Sequence, residues 1–174
     1  MPFLFTQSIV DNILPQMNVI RPMTEADLDA VLAIEQACFP RPWNREHFKA
    51  EIASELGVAV VAVQNGQVTG YLCLSILLDE AEILDVAVDI KRHRSGTGKM
   101  LLQWALSEAA RLGATILRLE VRADSTPAIT LYERFGFVRS GLRKGYYEKG
   151  IDAILMQKNL MEEEVKDAVQ GDDS

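Results

Sequence analysis

The run from Ile83 to Val121 constrains the fold more than any other part of the chain. Ile83 to Val88 is a β-rich strand pattern, and Gly96-Thr97-Gly98 forms a turn. A helical pattern follows from about Lys99 to Leu112, is stopped by Gly113, and gives way to a further strand pattern at Ile116 to Val121. Strand, turn, helix and strand in direct succession predict a layered α/β domain. The flanks extend the same theme. Upstream, Asn18 to Pro22 reads as a short strand, and Thr24 with Asp27 resembles a capping box before Leu28, Val31, Leu32, Cys38 and Phe39 at helical spacing. Pro40 and Pro42 break that helix, and Asn44 caps a second one that puts Phe48 and Ile52 on one face. Val58 to Val63 and Val68 to Leu77 are strands joined by a hairpin at Asn65-Gly66. Downstream, Pro127 opens a helix that ends at Gly136, and the last strands begin at Phe137-Val138 and include Ile154 to Met156.

With 174 residues, 48% of them hydrophobic, and no repeat or Gly/Ser/Pro-rich linker, the expectation is one compact domain at 17–160. Residues 1–16 read as an N-terminal extension and 161–174 as an acidic flexible tail. Met1 to Val10 lacks a basic leading region and is soon followed by Asp11, so neither a signal peptide nor a membrane span is expected, and the expected location is the cytoplasm. A net charge of −7 argues against nucleic acid as a direct partner, while it permits a cationic peptide or polyamine substrate. Cys38 and Cys73 lie in apolar runs without metal-ligand spacing, which suits buried reduced thiols and gives no metal site.

Three segments carry chemistry. Arg94-Ser95-Gly96-Thr97-Gly98-Lys99 stands between a strand and a strong helix, where free backbone N–H groups and the positive helix end converge on one spot suited to an anion. The same pattern also describes an ordinary glycine-rich turn with solvated basic residues. A P-loop would need glycine at His93 and Ser or Thr at Met100, and a dinucleotide fingerprint would need glycine at Leu101. In Ile116 to Arg122, Arg118, Glu120 and Arg122 alternate with apolar residues and so share one strand face, either as an ion-pair ladder or as a carboxylate in a cleft. Tyr132 shares its helix with Leu131 and Phe135, which are four apart, and could complete the core or offer its hydroxyl.

Taken in order and spacing, the glycine turn, Leu119-Glu120-Val121-Arg122 and Leu131 to Phe137 resemble the GNAT acetyltransferases. The closer resemblance is to the RimI-type branch, the ribosomal-protein-alanine N-acetyltransferases. It rests on Ala33 to Gln36, Phe39-Pro40 with Trp43, Asp85 to Asp89, Tyr146-Tyr147 and Asp152-Ala153. The resemblance implies a single GNAT domain: a mixed, mostly antiparallel sheet with splayed central strands, flanked by helices. It implies acetyl-CoA as cosubstrate, held by the backbone of Val86, Ala87 and Val88, by the turn from Arg94 to Lys99, and by Ser125. It further implies Glu120 as proton acceptor, Tyr132 as proton donor to the departing CoA thiolate, and Tyr146, Tyr147 and Glu35 at the acceptor peptide. The implied acceptor is a protein N-terminus, that of an alanine-starting small-subunit ribosomal protein. His93 replaces the family's usual Gln or Arg, and Ser125 replaces an asparagine that contacts CoA in RimI-type proteins.

The cofactor motif does not encode the acceptor, so acetylation of a small amine or of lysine is an alternative. A non-catalytic acyl-CoA-binding regulator and a structural ribosome-associated factor are two others. The presence of both Glu120 and Tyr132 favours a transferase.

Overall fold

The computed structural model describes residues 18–161. Its elements run β1 (Val19–Pro22), a 3₁₀ turn (Glu25–Asp27), α1 (Leu28–Cys38), α2 (Arg45–Ala53), β2 (Gly57–Gln64), β3 (Gln67–Leu77), β4 (Glu80–Val88), α3 (Thr97–Arg111), β5 (Ile116–Arg122), α4 (Thr126–Arg134), β6 (Val138–Arg143) and β7 (Ala153–Asn159). This is the order the periodicities predict. The expected extension at 1–16 lies outside the described residues, as does the expected tail at 161–174 apart from Met161. No helix among the described residues is long and apolar enough to cross a membrane.

Local chemistry accounts for the boundaries. Asp27 accepts from the Thr24 N–H at 2.8 Å and from the Thr24 hydroxyl at 3.1 Å, so the box predicted there forms on the 3₁₀ turn ahead of α1. Asn44 Oδ1 accepts from the His47 N–H at 3.0 Å and starts α2. Asn65 and Gly66, with φ of +52° and +74°, make the tight turn between β2 and β3. α3 begins at Thr97, two residues ahead of the expected Lys99 and directly after Gly96, whose φ of +83° lies outside the helical region.

The strands form one seven-stranded sheet in the order β1-β2-β3-β4-β5-β7-β6. β4 and β5 pair in parallel, whereas β1–β2, β5–β7 and β6–β7 are antiparallel. The β4–β5 register runs from Glu80↔Ile116 to Ile83↔Leu119 and ends there, while β5 stays paired to β7 as far as Arg122↔Ala153. Glu120 thus has its recorded strand partner on the β7 side.

By contacts the chain divides into two units, one holding the residues up to Cys73 with Asp85–Leu102, the other Leu74–Leu84 with Gln103 onward. In the first, Leu28, Val31, Phe48, Val61, Tyr71, Leu72 and Leu101 are fully buried, and the Phe48 and Tyr71 rings meet edge to face at 5.3 Å. In the second, Leu74, Leu117 and Met156 are fully buried, with Leu119, Ile129, Tyr132 and Phe137 nearly so.

Candidate active site

In the first unit, β4 ends at Val88 and leads through a short 3₁₀ turn into the basic loop. Arg94 and Gly96 adopt φ of +66° and +83°, the left-handed region, which curls the backbone between β4 and α3, with the Ser95 N–H donated back to the Arg92 carbonyl at 3.2 Å. A Cβ built on Gly96 meets nothing within 4 Å, so glycine is there for its φ. The Ser95 and Thr97 hydroxyls lie 2.9 Å apart, and the first N–H groups of α3, including those of Thr97, Gly98 and Lys99, have no intrahelical acceptor. Arg94 and Lys99 are exposed beside this turn. Together these groups fit a phosphate-bearing ligand.

The neighbouring strands are held close by a small residue. A Cβ on Gly70 of β3 would stand 2.9 Å from the Ala87 carbonyl oxygen, 3.1 Å from Leu101 and 3.2 Å from Thr97, so glycine lets β4 and the start of α3 approach β3. The Val88 carbonyl accepts from the Cys38 thiol at 3.6 Å and from His93 Nε2 at 3.3 Å. His93 therefore braces the end of β4 from an exposed position.

Glu35, implied at the acceptor by resemblance, is 1% exposed. Its carboxylate accepts from the Trp43 N–H at 2.6 Å and from the Tyr71 hydroxyl. The Tyr71 hydroxyl also lies 3.3 Å from Asp85. Burial, with Glu35 close by, pushes the Asp85 carboxyl up to about 8. Burial likewise raises the Tyr71 hydroxyl, so these side chains form an interior hydrogen-bonded network just ahead of Val86.

In the second unit, the period-two alternation of β5 puts Arg118, Glu120 and Arg122 on one face, and each has an anionic or cationic partner. Arg118 pairs with Glu80, Glu120 with Arg143 at 3.0 Å, and Arg122 with Glu148 and, at 3.0 Å, with Asp124. The ladder and the cleft are both realised, because Glu120 also lines a pocket of about 250 Å³ with Glu82, Arg118, Ser140, Arg143 and Leu155. The register explains the company. Glu82 of β4 is opposite Arg118, two residues from Glu120 on the same face, and Glu120 is opposite Leu155 of β7. A register shift between Arg139 and Gly141 on β6 brings Ser140 to the pocket wall. The Glu82 carboxyl is raised by partial burial and by the Glu120 charge, against the pull of Arg143 and Arg118.

Tyr132 is 9% exposed, and its ring is tilted against Phe137 at 5.8 Å. Its ring completes the core, the first of the two roles open to it in sequence. Ser125 immediately precedes α4, and its carbonyl accepts from the Ile129 N–H at 3.0 Å. Tyr146 and Tyr147 meet edge to face at 5.1 Å, with Arg143 over the first ring at 5.3 Å and Arg122 over the second at 5.1 Å. Asp152 fastens this loop by accepting from the Gly145 N–H at 2.7 Å. Sequence reasoning missed Glu82, whose alternation with buried Ala81 and Ile83 was the available signal, and Arg143, which no local pattern marks.

The Acetyltransferase (GNAT) family profile matches residues 28–137. The ribosomal protein bS18-alanine N-acetyltransferase of Escherichia coli is 36% identical over 80% of this chain and 96% of its own length. The enzyme of the same name from Haemophilus influenzae is 31% identical over 76% of this chain and 90% of its own. The crystal structure of the ribosomal-protein-S18-alanine N-acetyltransferase from Escherichia coli superposes with a TM-score of 0.77 at 35% identity, covering 83% of this chain and 94% of that one.

Proposed function

Since the chain belongs to the GNAT acetyltransferase family, we propose that it transfers the acetyl group of acetyl-CoA to the α-amino group of a protein N-terminus, that of an alanine-starting small-subunit ribosomal protein, in the cytoplasm. The observation that carries this reading is Glu120 itself, a carboxylate on an interior strand lining a small pocket, with a half-exposed arginine as its ion-pair partner. The near full-length similarity to relatives named for this reaction supports the acceptor class.

Acetyl-CoA, when bound, supplies an acyl thioester whose carbonyl carbon the amine attacks. The backbone of Val86 to Val88 and the turn from Arg94 to Lys99 hold it, with Ser125 as a further polar contact. An α-amino group has a pKa of roughly 7.7 to 8.0, so part of it is neutral near pH 7 and the remainder needs a proton acceptor. Glu120 takes that proton, directly or through one water, and Tyr132 returns one to the departing thiolate. The Tyr146-Tyr147 pair, stacked with Arg143 and Arg122, forms the acceptor-side loop. Glu35 contributes from the interior, by holding the Trp43 backbone and Tyr71.

The test is transfer of radiolabelled acetyl from acetyl-CoA, offered in parallel to an Ala-starting ribosomal peptide, the same peptide with a blocked N-terminus, and a polyamine. Label on the free-ended peptide alone is expected. Label on the polyamine, or on the blocked peptide through lysine, would replace this reading with small-amine or lysine acetylation.

A further inference from the structure

Resting on the reading above, we propose that Glu82 is the second carboxylate of the acceptor pocket, and that with Glu120 it takes up the acceptor's α-ammonium group in the place now held by the Arg143 guanidinium. Glu82 and Glu120 project from the same face of adjacent, parallel-paired strands and line one pocket. Two carboxylates facing each other across so small a space repel unless a cation stands between or beside them. In the structure that cation is Arg143, whose Nη2 lies 3.0 Å from Glu120 Oε1. The other cation on this wall, Arg118, is turned to Glu80.

Arg143 is built to leave. It ends β6, a strand exposed at every residue, and its side chain is 52% accessible. Its guanidinium also rests on the exposed ring of Tyr146, which can hold it once Glu120 lets go. An ion pair this exposed is weak, so a second cation can compete for the carboxylate. An α-ammonium is the better match for two carboxylates, being compact and carrying three donors, whereas a guanidinium presents a planar fork suited to one. The volume of about 250 Å³ is smaller than that of sites for drug-sized ligands and suits the end of a chain.

With the ammonium bound, breaking its N–H bond passes the proton to Glu120 and leaves the lone pair on nitrogen for attack. Glu82 keeps its charge and holds the amine in place. Burial and the neighbouring Glu120 charge raise the Glu82 carboxyl, the response expected of a paired anion awaiting a cation. Glu82 is thus a positioning and specificity-determining residue: a blocked terminus offers this pair no charge, and one amide N–H in place of three ammonium donors.

Calorimetric titration of the Ala-starting peptide into the full-length enzyme saturated with CoA reads this pocket without requiring transfer. Glu82→Gln is expected to weaken peptide binding about fivefold or more, Arg143→Gln to tighten it about threefold, and the N-acetylated peptide to show no binding. Both positions are exposed, and unchanged CoA affinity in each variant reports an intact fold. Wild-type affinity in Glu82→Gln, weaker binding in Arg143→Gln, or no binding of the free-ended peptide to the wild type would each overturn the proposal. A peptide that binds as expected yet is never acetylated would support the pocket and remove the transferase reading instead.

Discussion

Glu120 and Tyr132 are held in different ways, and the difference makes the roles proposed for them separable. Glu120 is about one-fifth exposed and meets Arg143 across the pocket, so replacing it with glutamine removes a charge while keeping the side-chain shape. Tyr132 is nearly buried against Phe137, so phenylalanine keeps the ring packing and removes only the hydroxyl. Glu120→Gln and Tyr132→Phe are each expected to lower turnover by about 10² to 10⁴ while acetyl-CoA affinity stays within about twofold of wild type. Single-turnover kinetics beside an acetyl-CoA titration measure both quantities. Wild-type turnover in a variant that still binds acetyl-CoA would remove that residue from its role.

At the scale of elements, the tightest constraint is the approach of β4 to β3 at Gly70. A methyl group there would fall 2.9 Å from the Ala87 carbonyl oxygen, and backbone cannot yield as a side-chain end can. Gly70→Ala is therefore expected to cost about 1 to 3 kcal/mol of stability, read by urea denaturation. It should also weaken acetyl-CoA binding, because Ala87 is the middle residue of the strand proposed to hold it. Lower stability with unchanged affinity would show that β4 is not the cofactor's strand. That a glycine was needed here could not be read from the sequence, because the crowding comes from residues 17 to 31 positions away. What local periodicity did convey was the element order and the turn at Arg94 to Lys99, since capping, proline and glycine signals act over a few residues. It did not convey that β7 lies between β5 and β6, an outcome of long-range pairing. Glu80-Ala81-Glu82 escaped the strand reading because two acids around one alanine carry little β-propensity, although the buried alanine keeps the period of two. The interior position of Glu35 follows from its spacing, four after Val31 and three before Cys38, but its partners Trp43 and Tyr71 come from separate segments and were hidden.

For the molecule as a whole, folding is linked both to ligand and to protons. If the folded chain alone binds acetyl-CoA, a concentration of 100 times Kd should raise the unfolding free energy by about 2.7 kcal/mol, seen as a higher Tm. Absence of any shift would argue against the cofactor. Protons act through two acids in opposite directions. Arg21, with two hydrogen bonds of 2.8 Å, holds Asp27 down to about 2, so the stability from this pair is present above the ordinary aspartate value near ~3.9 and is lost as pH falls toward 2. Asp85, raised to about 8 by burial and Glu35, stays protonated in the folded chain but ionises in the unfolded one above about 3.9. Between those two values unfolding releases a proton, so the stability contributed by Asp85 is full below about 3.9, declines as pH rises and is gone above about 8. The slope is at most about 1.4 kcal/mol per pH unit. Urea midpoints should therefore fall between pH 5 and pH 7.5 in the wild type and fall less in Asp85→Asn, whose amide stays neutral throughout. The other titrating groups contribute alike to both proteins, so the difference between the two curves isolates Asp85. Parallel curves would mean that Asp85 carries a charge in the folded chain, and the buried network around Tyr71 would then need a cation that none of its members provides.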